Sequence, residues 1–405
     1  MGWITDFPPV RVDLDSCVTC GLCLPVCPTY RLTGDETASP RGRLAAIDAV
    51  DEGIAKVDER FGEIVDFCLQ CRACETACPS LVPFGRIIEG ATAEVRAQTP
   101  SVEGRLRRFS VTTALTTIPF LRSGSIVMGM AQRLGIPDRG LRTIPLPERS
   151  ARGGIWGPED GPVATLFIGC VVDAWFSDIH RASIEVLVAA GYRVEAPSSQ
   201  TCCGALAAHD GFVQGAEKMA KQNRTALLDA DVIVVDVAGC GAHLKDDPEI
   251  GDKVQDVSQV VADAIENGQL PVLRWNGEVV AVQDPCHLEH GQGIVEEPRA
   301  VLRAAGYDVI DVDRGGLCCG AAGTYVIDHP DTSSELGRRK AASVANTGAT
   351  LVASANAGCE MQLRRLLDDD YVVRHPVEIY ASILAGERRI GTARESLPGS
   401  HTWEP

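Results

Sequence analysis

The sequence predicts a protein of mixed α+β and α/β class, with a helical N-terminal domain followed by two small α/β domains in tandem. Three observations predict it. A pattern of four cysteines closed by proline is written twice before residue 80, strand-like runs alternate with helical stretches from Val163 onward, and that alternation is itself duplicated together with its cysteines. The expected divisions are 1–95, a helical segment and linker over 96–160, α/β units over 161–275 and 276–390, and a tail over 391–405.

The first element is the stretch Cys17, Cys20, Cys23, Cys27, Pro28, and Cys68, Cys71, Cys74, Cys78, Pro79 repeats its intervals. Cys-x2-Cys-x2-Cys-x3-Cys-Pro is the ferredoxin spacing for a [4Fe-4S] cluster: three thiolates in one tight loop reach three irons, and in two-cluster proteins the fourth comes from the other run. Two clusters are therefore expected, one on Cys17, Cys20, Cys23 and Cys78 and one on Cys68, Cys71, Cys74 and Cys27. A zinc ribbon needs only two Cys-x2-Cys knuckles, which would leave the third cysteine and the Cys-Pro of each run without a purpose.

Between the runs, Ser39-Pro40-Arg41-Gly42-Arg43 reads as an N-cap serine, a first-turn proline and a short connecting helix. Arg41 and Arg43 are placed either on the surface of this connector or facing a cluster or a docking partner. From Ala91 to Ser150 the cysteines stop, and Arg105, Arg107, Arg108, Arg133 and Arg139 make this the one basic part of the chain. Helices packed on the rest of the protein are expected, with an amphipathic surface for a membrane or a flavoprotein as the second reading. The glycines and prolines between Gly153 and Pro162 predict a linker.

Beyond it the repeat begins. Cys170, Cys202-Cys203-Gly204 and Cys240 in the first copy answer to Cys286, Cys318-Cys319-Gly320 and Cys359 in the second. Each copy predicts strand, helix, strand, helix, strand: 163–168, 183–190, 192–196, 212–228 and 232–237, then 279–282, a helix ending at Ala305, 307–312, 335–346 and 351–355. Such alternation implies a parallel sheet with right-handed crossovers, whose ligands gather at the carboxyl ends of the strands. Every cysteine of the repeat follows a predicted strand. The two runs and the two copies together account for all 16 cysteines, so none remains as a nucleophile.

Composition removes several classes of function. A net charge of −17 argues against nucleic-acid binding by the surface as a whole. No eighteen-residue apolar run predicts a membrane-spanning helix, and Met1 to Ser16 lacks the basic and apolar regions of a secretory signal. A reducing, cytoplasmic setting is expected, with peripheral contact at the inner face of the cell membrane left open. No Gly-x-Gly-x-x-Gly follows a predicted strand, so no dinucleotide site of that kind is expected.

With Cys27-Pro28-Thr29-Tyr30, Gly239-Cys240-Gly241-Ala242-His243, Asp284-Pro285-Cys286-His287-Leu288 and Cys318-Cys319-Gly320 in place, the chain over about residues 10 to 385 resembles the family that joins a two-cluster ferredoxin to tandem cysteine-rich CCG domains. It looks most like the branch of bacterial glycolate oxidase iron-sulfur subunits; the family also includes anaerobic glycerol-3-phosphate dehydrogenase small subunits, lactate-utilisation proteins and heterodisulfide reductase subunits. The resemblance implies an electron conduit for a separate FAD subunit that oxidises a 2-hydroxy acid, delivering to a quinone or another acceptor. Lactate or glycerol-3-phosphate systems and a thiol-disulfide reductase are the alternatives, together with a zinc-stabilised assembly protein. The resemblance further implies a site on Cys170, Cys202, Cys203 and Cys240 and another on Cys286, Cys318, Cys319 and Cys359, each for a further cluster or for zinc. Where heterodisulfide reductases carry a fifth thiolate, this chain has His243 and Gln362. His243 is thus a candidate ligand, and His287 and His290 are candidates to hydrogen-bond a sulfur or to ligate directly.

Overall fold

A computed structural model describes residues 2–133, 147, 149–275, 277–314 and 316–386. The expected tail over 391–405 and Arg139 lie outside the described residues. The N-terminal part is helical, with its longer helices over Pro40–Asp51, Glu59–Asp66 and Phe84–Gln98. Ser39 caps the first of these as expected, its hydroxyl accepting from the Gly42 amide at 2.9 Å. Ile47, Val50, Phe61, Val65, Ile87 and Ile88 form the core between the helices, and the cysteines Cys17, Cys23, Cys74 and Cys78 border it.

Among the described residues nine strands follow: β1 (Ile155–Trp156), β2 (Val163–Phe167), β3 (Arg193–Glu195), β4 (Ile233–Val235), β5 (Val254–Asp256), β6 (Val279–Gln283), β7 (Asp308–Asp311), β8 (Leu351–Ser354) and β9 (Val372–Arg374). They build two sheets ordered β1-β3-β2-β4-β5 and β7-β6-β8-β9. Apart from β1, all pairings are parallel. With β1 set aside, the two orders are the same, which is the duplication seen in the sequence.

The stretch expected as a bare linker does more than connect. Ile155 and Trp156 pair antiparallel with Val194 and Glu195 and close the edge of the first sheet. A two-residue strand framed by glycines has no periodicity to read, so only pairing reveals it.

The two α/β units share one core. The helix Ser177–Ala189 packs on Pro376–Leu384, and Val257–Glu266 packs on Glu296–Ala304. Their buried faces join Ile179, Val186, Val261, Val301, Leu302 and Tyr380 in one apolar cluster. The carboxyl ends of β4 and β8 meet directly, the Ala238 amide donating to the Ala355 carbonyl at 3.1 Å. Strand ends that carry cysteines in both units are thereby brought face to face.

Candidate metal centres

Both cysteine runs adopt the same unusual backbone. Thr19 and Gln70, each two residues after the first cysteine, have φ of 55° and 53°, and Gly21 and Arg72, each just after the second, have 82° and 61°. Left-handed turns at non-glycine residues cost about 1 kcal/mol each. They persist here because they curl the loop until its sulfurs face one point.

Two cavities result. One is lined by Cys17, Cys20 and Cys23 of the first run and Cys78 of the second. The other is lined by Cys68 and Cys71 of the second run and Cys27 of the first, and Cys74 borders both. Each cavity is thus lined by cysteines of both runs. Arg41 lines the first cavity and Arg43 the second. Arg43 is fully buried and donates to the carbonyls of Ala38 and Ile64 at 2.8 and 2.9 Å, pinning the connecting helix over the second loop.

Burial pushes the Cys68 thiol up to about 11 and raises Cys74 as well. Gathering thiolates in such cavities is unfavourable unless a cation is gathered with them, and iron supplies that charge. Hydrogen bonds from the Gln70 amide to Cys68 Sγ at 3.4 Å, and between Thr29 and Cys27 Sγ at 3.2 Å, also meet the sulfurs. The donor set fits a thiolate-bound iron-sulfur cluster in each cavity. Among the described residues no three Cys, His, Asp or Glu side chains are grouped to grip a single ion.

In the repeat, cysteines separated by more than thirty residues come into contact. Cys170 and Cys202 sulfurs lie 3.2 Å apart, Cys203 and Cys240 3.2 Å, and Cys319 and Cys359 3.0 Å. Cys240 and Cys359 each occupy the third position of a helix, Ala238–Lys245 and Ala357–Leu366. In each quartet the shared proton donors favour one anion. Neighbouring thiols of Cys202 and Cys240 hold Cys203 down, and those of Cys286 and Cys319 hold Cys318 down. The glycine of each Cys-Cys-Gly has positive φ, 100° at Gly204 and 82° at Gly320, which turns the chain from the pair into the next helix.

One contact has no signal in the sequence. Cys286 packs with Cys318 of its own quartet and also with Cys71 of the second run, and burial among these sulfurs pushes its thiol up. Cys318, Cys319 and Cys359 belong to a single buried cluster with Leu69, Tyr325 and Leu336, and Cys71 and Cys286, themselves partly buried, pack against it. The second run is clamped between both α/β units. Gln70 donates to the His209 carbonyl at 2.7 Å, Arg72 pairs with Asp246 at 2.9 Å, and Thr76 meets His290 Nδ1 at 3.1 Å. The first run faces outward, with Cys20, Val18 and Leu22 exposed.

The histidines lie between the two quartets. His290 is engaged by Thr76, whereas His287 stacks on His209, and His209 meets His243 edge to face with centroids 6.4 Å apart. His243 Nε2 stands beside Gly204, 3.4 Å from where a Cβ would project, and its proximity also favours the Cys203 thiolate. His209 Nδ1 pairs with Glu89 at 2.8 Å. Burial opposes charge on both partners, yet the pair holds His209 above and Glu89 below their ordinary values. Burial and the His209 charge push His287 down to about 3. Nothing in the sequence around His209 or Glu89 signals a site, so both emerge only from the packed chain. Gln362 donates to the Ser333 carbonyl at 3.0 Å and serves the fold.

A ferredoxin-like pair of cysteine cavities, abutting duplicated parallel sheets that carry thiolate quartets at their strand ends, defines the class: an iron-sulfur protein with tandem cysteine-rich domains. Residues 13–82 match the 4Fe-4S dicluster domain family, and residues 164–245 and 280–364 match the Cysteine-rich domain family. The chain is 32% identical to the probable glycolate oxidase iron-sulfur subunit of Bacillus subtilis over 87% of this chain and 88% of that protein. It is 31% identical to the glycolate oxidase iron-sulfur subunit of Escherichia coli, over 92% and 95%. A shorter likeness, 29% over 53% of this chain and 95% of the relative, is to lactate utilization protein A of Oceanobacillus iheyensis. The chain belongs to the glycolate oxidase iron-sulfur subunit family.

Proposed function

We propose that this chain is the electron-transfer subunit of a glycolate oxidase-type 2-hydroxy-acid dehydrogenase, working at the cytoplasmic side of the membrane. Cys17, Cys20, Cys23 and Cys78 hold one [4Fe-4S] cluster, and Cys68, Cys71, Cys74 and Cys27 the other. Cys170, Cys202, Cys203 and Cys240, and Cys286, Cys318, Cys319 and Cys359, hold further iron-sulfur clusters or zinc. The division into a ferredoxin-type domain over 1–95 and cysteine-rich domains over 161–275 and 276–390 goes with this assignment. Bound clusters supply one-electron centres whose potentials respond to hydrogen bonding and burial.

The observation that carries the reading is that Cys71 of the second run and Cys286 of the second repeat pack against one cluster with Cys318, Cys319 and Cys359. Two candidate sites that share one packed cluster are close enough for an electron to pass between them. The exposed loop around Cys20 is the natural side for exchange with a partner, whereas the second run, walled by Arg43, Leu69 and Tyr325, is less exposed. Substrate oxidation belongs to a separate FAD subunit, and a quinone or another acceptor receives the electrons. Disulfide reduction is disfavoured by His243 and Gln362, which offer no fifth thiolate.

Anaerobic purification with the flavin subunit tests this. A brown protein with about four irons per ferredoxin-type site, bleached when glycolate is added to the complex, is the expected result. Colourless protein holding zinc in place of iron overturns the proposal, and bleaching by lactate or glycerol 3-phosphate but not glycolate moves it to those relatives.

A further inference from the structure

The helical segment after the ferredoxin-type part is two-sided. On its inner side, Val111 and Leu121 are buried in the same apolar cluster as Cys170, Cys202 and Cys203. Arg107 pairs inward with Asp210 at 2.6 Å and Asp328 at 2.7 Å, and Trp175 Nε1 donates to Ser125 Oγ at 2.7 Å. On its outer side, Leu106, Phe109, Phe120, Val127, Met128 and Met130 are each at least half exposed. Phe109 and Phe120 meet edge to face at 6.0 Å, joining the helix Val102–Phe109 to the helix Ile118–Arg133 in one apolar face. Arg105, Arg108 and Arg133 are exposed on the same helices. Between residues 102 and 133 the sequence holds five arginines and a single acidic residue, Glu103; Arg107 and Arg122 turn inward to acidic residues, which leaves Arg105, Arg108 and Arg133 outside, in a chain whose net charge is −17.

We propose that this face lies on an anionic lipid surface. Apolar side chains bordered by arginine are the arrangement of helices that rest in the headgroup layer. The charge complementarity is local: a chain this acidic is repelled by anionic lipid everywhere except where the arginines outnumber the acids. No described helix is long and apolar enough to cross the bilayer, so attachment is by the face alone. One helix separates the face from the first quartet, a thickness of about 10 Å. This docking places Cys170 and Cys202 next to whatever acceptor dissolves in the lipid. The inference rests on the proposed electron-transfer function only for that last step; lipid binding stands on the face itself.

Flotation of the full-length, iron-loaded chain with vesicles tests it without any turnover. Binding is expected to vesicles of equal parts phosphatidylglycerol and phosphatidylcholine, to weaken with salt, and to be lost on pure phosphatidylcholine. Each arginine near the surface contributes about a fivefold factor, so Arg105→Glu with Arg108→Glu is expected to weaken binding by at least about 25-fold. Phe109→Ser with Phe120→Ser is expected to weaken it while visible absorbance is retained. Unchanged vesicle binding in both double variants overturns the proposal. So does the outcome in which the intact chain ignores anionic vesicles and the variants instead lose the flavin subunit, which would make the face a protein interface. A chain that binds vesicles but carries no iron would sink the electron-transfer reading and leave this one standing.

Discussion

The imidazole of His209 lies flat on that of His287, ring centroids 5.5 Å apart and planes 7° apart. His209 closes the short helix that follows Cys202-Cys203-Gly204, and His287 follows Cys286, so the stack joins the two quartets across the interface of their domains. Glu89, from the helix Phe84–Gln98, holds His209 from the ferredoxin-type side. Three parts of the chain converge on one ring pair.

The pair His209 and Glu89 is expected to be a coupled unit. His209→Phe keeps an aromatic ring against His287 but leaves a half-buried carboxylate unpartnered, and should cost about 1–3 kcal/mol in denaturant unfolding. Adding Glu89→Gln should recover part of that loss. Coupling of at least about 0.5 kcal/mol in the double-mutant cycle is expected, and strict additivity would mean the two groups act separately.

Cysteine replacements should divide the iron into separate populations. Cys20→Ala, on the exposed loop, should remove about four irons and leave the other centres' signals intact. Cys71→Ala should remove a similar amount and also alter the paramagnetic spectrum of the quartet containing Cys286, because the two cysteines pack against one cluster. An unaltered spectrum there would count against close contact between the sites.

The two Cys-Cys-Gly glycines should differ in tolerance. Both have positive φ, so alanine costs about 1–2 kcal/mol at either. At Gly320 a Cβ would also press on the Ser333 carbonyl, 2.5 Å away, whereas at Gly204 the nearest backbone atom is 3.3 Å away. Gly320→Ala is therefore expected to be worse by about 1–3 kcal/mol, measured as a shift in the unfolding midpoint.

Asp256 should make stability fall as pH rises. It is fully buried, caps the helix Val257–Glu266 through the Ser258 amide at 2.8 Å, and burial pushes its carboxyl up to about 6. The folded protein thus holds this proton more tightly than the unfolded chain does. The penalty is absent below about pH 4, grows through the interval up to about pH 6, and is complete above it. Asp256→Asn keeps the cap and removes the charge. It should stabilise the protein by about 1–3 kcal/mol at neutral pH and by little in acid, so equal gains at both pH values would refute the assignment.

Much of the architecture is legible along the chain. The spacing of Cys17 to Cys27 and Cys68 to Cys78 carries its own geometry, because three thiolates that close together can serve only one compact centre. Strands β2, β4, β6 and β8 are apolar runs bounded by turns, and each lies at the stretch expected of it. Strands β5 and β9 escape such reading: Val-Gln-Asp and Val-Val-Arg are too short to show a period, and their place is set by the neighbouring strands with which they pair.

The residues by themselves determined how many thiol groups there are, how they fall into two runs and two copies, and that each copy delivers its cysteines to the ends of parallel strands. These are local properties, fixed by spacing and by the alternation of strand and helix. Which sites touch was decided only by the packed chain. The meeting of Cys71 with Cys286, the stacking of His209 on His287 and the outward turn of Phe109 and Phe120 each depend on how separate helices and sheets bury their apolar faces against one another. No stretch of sequence encodes that alone, because the free energy of burial belongs to pairs of surfaces distant along the chain.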